Sequence, residues 1–173
     1  MNSHSHLSRG SAGGSNRSSG SKAVKSGGAD FLTWTAPLIL RWALGVTLLS
    51  ATLDRFGIWG PPGTPNVAWG DWTHLVAYTA KVNGFLPNTL APTLAVIATG
   101  AEASLGVALI LGVFRRRIAF TSALLFARFA GAMTWSFGVK APLNFSVFAD
   151  AAAALALSAW PEPPNHKSNA ARR

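Results

Sequence analysis

The chain has no cysteine in its 173 residues, which removes disulfides, thiolate nucleophiles, iron–sulfur ligation and thiol redox cycling from anything it does alone. Electron chemistry would require a bound cofactor or a partner. Charge is also scarce: Asp, Glu, Lys and Arg supply 12% of the residues against 49% hydrophobic, where soluble domains carry about a quarter charged. His74 is the only histidine close to an apolar segment, which excludes bis-histidine haem ligation within the chain. No Ser-His-Asp arrangement, metal-ligand spacing or glycine-rich phosphate loop occurs, so no metal site is expected. His4 and His6 sit in a stretch that reads as a fluctuating tail.

The formal net charge is +9, but its placement argues against nucleic acid. Basic residues gather in the N-terminal stretch (Arg9, Arg17, Lys22, Lys25), in the run Arg115-Arg116-Arg117, and near the C-terminus (Lys167, Arg172, Arg173). Each cluster flanks an apolar segment, which is how topology-setting charge is distributed, and none forms a basic face.

Composition divides the chain into three. Residues 1–30 are rich in Ser, Gly and Asn and read as a disordered tail; 31–160 read as a membrane domain; 161–173 form a second tail. The membrane domain holds four apolar stretches, at about 34–53, 89–114, 118–137 and 144–160. About 20 residues cross the hydrocarbon core, so the last is the shortest fit. The fold class expected is all-α, a four-helix transmembrane bundle. Between spans one and two, 57–70 is a turn-rich loop with Gly60-Pro61-Pro62-Gly63. Residues 71–85 then read as a short interfacial helix started by Asp71, and Pro87 marks the turn into span two. The tails and the Arg115 run carry ten Lys and Arg, against Arg55, Lys81 and Lys140 on the opposite side. Both termini are therefore expected in the cytoplasm.

Each span carries one ionisable residue near its middle: Arg41, Glu102, Arg128 and Asp150. A charge at the bilayer centre costs roughly 2.5–3.5 kcal/mol on insertion scales, so these residues are expected to meet inside the bundle. Depth counting puts Arg128 and Asp150 both about 15 Å from the cytoplasmic side, which makes them a structural ion pair. Arg41 and Glu102 lie about 10 and 18 Å deep, a gap that an extended arginine spans. Two readings stay open for each pair: a packing device that fixes which helix neighbours which, or a polar site for a ligand head group or proton path. His74, Tyr78, Lys140 and Asn144 invite the same choice at the mouth of the bundle, between a ligand site and a solvated polar face. Gly100, Ser104, Gly106, Ala127 and Gly131 are read as small residues that allow close helix approach.

Three runs carry a family resemblance: Arg41-Trp42-Ala43-Leu44-Gly45, Asp54-Arg55-Phe56-Gly57 and Ala101-Glu102-Ala103-Ser104-Leu105-Gly106. With Lys140-Ala141-Pro142-Leu143-Asn144-Phe145-Ser146, they make residues 35–160 resemble the DoxX family of small four-helix bacterial membrane proteins. The resemblance implies a multi-pass protein of the bacterial inner membrane. It also implies membership in a group that includes the DoxD-type subunit of thiosulfate:quinone oxidoreductase and members proposed to act in membrane oxidoreductase complexes. Arg41 and Glu102 match the family's intramembrane Arg and Glu, whereas Arg128 and Asp150 look like an addition. On this basis the chain is expected to be the membrane subunit of a quinone-linked oxidoreductase with a redox partner, Glu102 and Arg41 being catalytic and His74, Tyr78, Lys140 and Asn144 binding quinone. The alternative is a non-catalytic membrane scaffold whose charges only order the bundle.

Overall fold

The computed structural model describes residues 19–161, with side chains from residue 31 onward. Residues 1–18, with His4 and His6, and residues 162–173 lie outside the described residues. Among the described residues six α-helices follow one another: α1 (Ser19–Asp54), α2 (Trp72–Val82), α3 (Ala91–Leu111), α4 (Arg115–Phe137), α5 (Lys140–Asn144) and α6 (Val147–Ala159), with a 3₁₀ turn at Asn88–Leu90. No strand forms among the described residues, in accord with the all-α reading. Helix α1 already runs through residues 19–30, within the stretch read as a tail. The chain divides within this helix into two compact units, Met1–Thr35 and Ala36–Arg173. In the first, the Thr35 hydroxyl donates to the Phe31 carbonyl at 2.9 Å.

Among the described residues three helical stretches are long and apolar enough to cross a membrane: Phe31–Asp54, Asn88–Leu111 and Arg115–Phe137, of 24, 24 and 23 residues. At about 1.5 Å per residue each exceeds the roughly 30 Å hydrocarbon core. The fourth expected span differs. Helix α6 has 13 residues, or about 20 Å of length. Its segment is broken at Ser146, which takes a left-handed φ of 56° and so separates α5 from α6.

Buried positions recur every three or four residues, as helix packing demands. On α3 they are Ala91, Ala95, Thr99, Glu102, Leu105, Gly106 and Leu109; on α4, Ala119, Ser122, Ala123, Phe126, Ala130 and Met133. Leu44 and Leu48 of α1 and Ala154 and Leu157 of α6 complete the core. The opposite faces are apolar too: Val96, Ile97, Leu111, Phe120, Leu124 and Leu155 are exposed, the surface of helices that face lipid.

Small residues bring α1 and α3 together. A Cβ on Gly106 would lie 2.9 Å from Leu49 Cγ and 3.1 Å from the Gly45 carbonyl, so only glycine fits there. Gly100 and Gly131, expected to serve the same purpose, have nothing within 4 Å of a Cβ. They mediate no close approach within the described chain.

The two ends of the fold are tied by hydrogen bonds that sequence spacing does not reveal. Arg115 Nη2 donates to the Trp160 carbonyl at 3.0 Å and Arg116 Nε to the Ser158 carbonyl at 3.2 Å. Two residues of the Arg115–Arg117 run therefore cap carbonyls that the end of α6 leaves without intrahelical partners. At the other end Asp71 caps α2, its Oδ1 accepting from the His74 backbone N–H at 2.8 Å. Leu75 and Val82 of α2 are buried, and Ser136 Oγ of α4 donates to the Val82 carbonyl at 2.6 Å. The loop before α2 folds tightly. Gly70, at φ +70°, lies so close to the Pro61–Pro62 backbone that any Cβ would overlap it.

Candidate functional site

Glu102 falls on the buried stripe of α3, so its carboxylate points into the protein at 2% exposure. A charge so placed is retained only with a hydrogen-bonded partner. That partner is Arg55, just past the end of α1 and itself 4% exposed. Its Nη2 donates to both carboxylate oxygens at 2.6 Å, while Nη1 donates to Thr99 Oγ1 at 2.6 Å, one turn before Glu102. The Trp69 ring closes one side, its centroid 5.2 Å from Arg55 Cζ, in cation–π geometry.

Asp54, next to Arg55 and 5% exposed, fixes the loop over this pair. Its Oδ2 accepts from the backbone N–H groups of Ala68 at 3.1 Å and Trp69 at 2.8 Å. The Trp59 indole N–H adds a bond to the Ser50 carbonyl at 3.0 Å. Two polar atoms of this centre, Asp54 Oδ1 and Arg55 Nε, are buried with no hydrogen-bond partner among the described residues.

The pairing corrects the expectation that Glu102 meets Arg41. Contact of Gly45 with Gly106 sets the antiparallel register of α1 and α3, which puts residue 41 level with about residue 110, some 12 Å along the axis from Glu102. Side-chain direction widens the gap. Helical side chains tilt toward their own N-terminus. On antiparallel helices, Arg41 and Glu102 therefore point away from each other, whereas Arg55, just past the end of α1, lies on the side toward which Glu102 tilts. Arg41 instead lies against Gly112 at the C-terminal end of α3, where a Cβ would overlap its guanidinium. The exposed carbonyls of a helix end favour a cation there. Its Nε is buried without a partner among the described residues.

Arg128 and Asp150 form no ion pair with each other or with any other described residue. Arg128 is exposed and Asp150 half-buried. Depth does not specify the face. Arg128 is about 200° around α4 from both Phe126 and Ala130, on the side away from the core.

The residues proposed at the bundle mouth separate. Tyr78 is half-buried between Trp69 and Phe137, with ring centroids 5.8 and 5.7 Å away, and burial raises its phenol above the ordinary value. It joins the site through Trp69. His74 is exposed, its ring Nδ1 2.9 Å from Asp71 Oδ1. The His74 backbone N–H, and after it the His74 ring, hold the Asp71 carboxyl below its ordinary value. Lys140 and Asn144 are exposed at the two ends of α5, and no hydrogen bond links them to His74 or Tyr78. Among the described residues, no cluster of His, Cys, Asp or Glu has the arrangement to hold a metal ion.

Sequence reasoning missed Arg55, Asp54 and Thr99. From the sequence Arg55 reads as a loop cation, yet the tilt of Glu102 toward the N-terminus of α3 and the spacing of Thr99 and Glu102 on one helix face are both readable. Chemically the centre is a desolvated clamp joining the end of α1, the loop and the middle of α3. No family model, curated protein or solved structure matches this chain.

Proposed function

We propose that this chain is a DoxX-like membrane subunit of a larger assembly: a bundle of α1, α3, α4 and α6 in the bacterial inner membrane, both termini cytoplasmic, whose buried charges order the bundle. The observation that carries this reading is the Arg55–Glu102 clamp, in which both carboxylate oxygens accept from one guanidinium. Such a carboxylate is engaged in holding helix to loop. With Arg55 buried, only Lys81 and Lys140 remain as basic residues on the loop side, which strengthens the charge asymmetry behind the topology.

A second reading, the membrane subunit of a quinone-linked oxidoreductase, is favoured by one observation. Arg55 Nε and Asp54 Oδ1 are buried without partners among the described residues, and the Arg55 guanidinium lies against the ring of Trp69, which packs in turn on Tyr78. A quinone carbonyl is an acceptor of the kind that Nε lacks.

Purification from native membranes separates the two. The scaffold reading expects partner proteins in fixed ratio, no quinone, and unchanged partner capture by Glu102→Gln. Bound quinone, with donor-driven quinone reduction that Glu102→Gln abolishes, overturns it in favour of the second.

A further inference from the structure

Two ionisable residues at closely matched depth are left unanswered by their own chain. The bonds from Arg115 and Arg116 to the Trp160 and Ser158 carbonyls set α4 and α6 antiparallel, with residue 116 level with about residue 158. Counting along both helices puts Arg128 and Asp150 within about four residues of the same level, or about 6 Å. An extended arginine covers that distance. Yet Arg128 is on the exposed side of a helix long and apolar enough to span the bilayer, and Asp150 has no hydrogen-bond or ionic partner among the described residues.

A guanidinium at mid-span with no counter-charge is strongly disfavoured in lipid, so something must cover it. Two copies related by a two-fold axis along the membrane normal keep every residue at its own depth. Arg128 of one copy then comes within reach of residues of the other near its own level, and Asp150, about 6 Å away along the axis, is an acid within that reach. The surroundings fit a helix arriving from outside. Ala127 and Gly131 flank Arg128 on the exposed face, and a Cβ on Gly131 would touch nothing within the chain. At α6, Ser146 and Ala153, four residues before and three after Asp150 on its own face, are small, the first exposed and the second partly buried.

We propose that the exposed face of α4 and the Asp150 side of α6 form a self-association surface, on which Arg128 of each copy pairs with Asp150 of the other.

Charge reversal tests this directly. Arg128→Asp alone and Asp150→Arg alone each place like charges at both contacts, so neither variant captures a differently tagged copy of itself from solubilised membranes. Co-expressed, the two single variants restore both contacts and capture each other, and the double reversal in one chain again captures itself. Failure of the mixed singles, with recovery only in the double reversal, would show that the pair closes within one chain and overturn the proposal. Wild-type copies that never co-purify would overturn it too, pointing to a lipid phosphate or another protein as the counter-charge. Should the reversed chains not insert, single cysteines in this cysteine-free protein supply the readout. Oxidation in native membranes should cross-link Leu124→Cys, Ala127→Cys or Gly131→Cys into dimers and leave Val96→Cys and Val107→Cys on α3 monomeric. Equal yields on both faces would contradict the surface.

Discussion

The loop end of the protein and the middle of its α4 face treat charge in opposite ways. At the loop end, Asp54, Arg55 and Glu102 are each at most 5% exposed, and each is held by hydrogen bonds to another part of the chain. Along α4 and α6, Arg128 is exposed and Asp150 half-buried, and neither has a partner among the described residues. The difference shows what an ionisable residue in an apolar helix implies. Its presence demands a counter-charge, and only the helix face decides whether that counter-charge comes from the same chain. Glu102 is in register with the core and finds Arg55. Arg128 is opposite the core and turns outward.

The sharpest way to break this comparison is to strip the satisfied region of one charge. Glu102→Leu leaves Arg55 buried opposite an apolar side chain, and should lower stability by about 3–5 kcal/mol. Adding Arg55→Met should recover most of that loss, measured by unfolding in detergent. Asp54→Ala comes next. It leaves the Ala68 and Trp69 N–H groups without their acceptor, at a cost of about 1–3 kcal/mol, and hydrogen exchange at those two amides should accelerate while the α3 core stays protected.

A smaller effect is expected at Asp71, whose carboxyl is lowered by the His74 backbone N–H and ring. The folded value lies below the unfolded one, so the contribution is fully present above the ordinary 3.8 and is lost as pH falls through the folded value. Fraying at the start of α2 should therefore appear on acidification below about pH 4 and be pH-independent in Asp71→Asn. Smallest of all should be Arg128→Leu in dilute detergent, where copies separate. Removing a side chain that bonds nothing in its own chain should shift stability by no more than about 0.5 kcal/mol.

How much of this was legible in the residues depends on which physical quantity was needed. The three spanning stretches, the Asp71 cap and the turn after Pro87 follow from apolar length and local backbone chemistry, and the structure has them where the residues indicate. The short α6 was hidden because the left-handed turn at Ser146 breaks the helix without proline or glycine to announce it. The bonds of Arg115 and Arg116 to the end of α6 were hidden because they depend on two helix ends meeting in space. Pairing was misread for a different reason. Depth alone made Arg41 and Arg128 the partners of choice, but side-chain tilt excludes the first and the angular position around α4 excludes the second. Tyr78, read as part of a polar face, is held by Trp69 and Phe137, contacts that need the loop folded back over α2.

The central claim is that Arg55, and not Arg41, answers Glu102. Two double-mutant cycles on the detergent-solubilised protein test it, one with Arg55→Met and Glu102→Gln, the other with Arg41→Met and Glu102→Gln. A coupling above about 2 kcal/mol in the first cycle and within about 0.5 kcal/mol of zero in the second is the predicted result. Strong coupling between Arg41 and Glu102, with none to Arg55, would contradict the account.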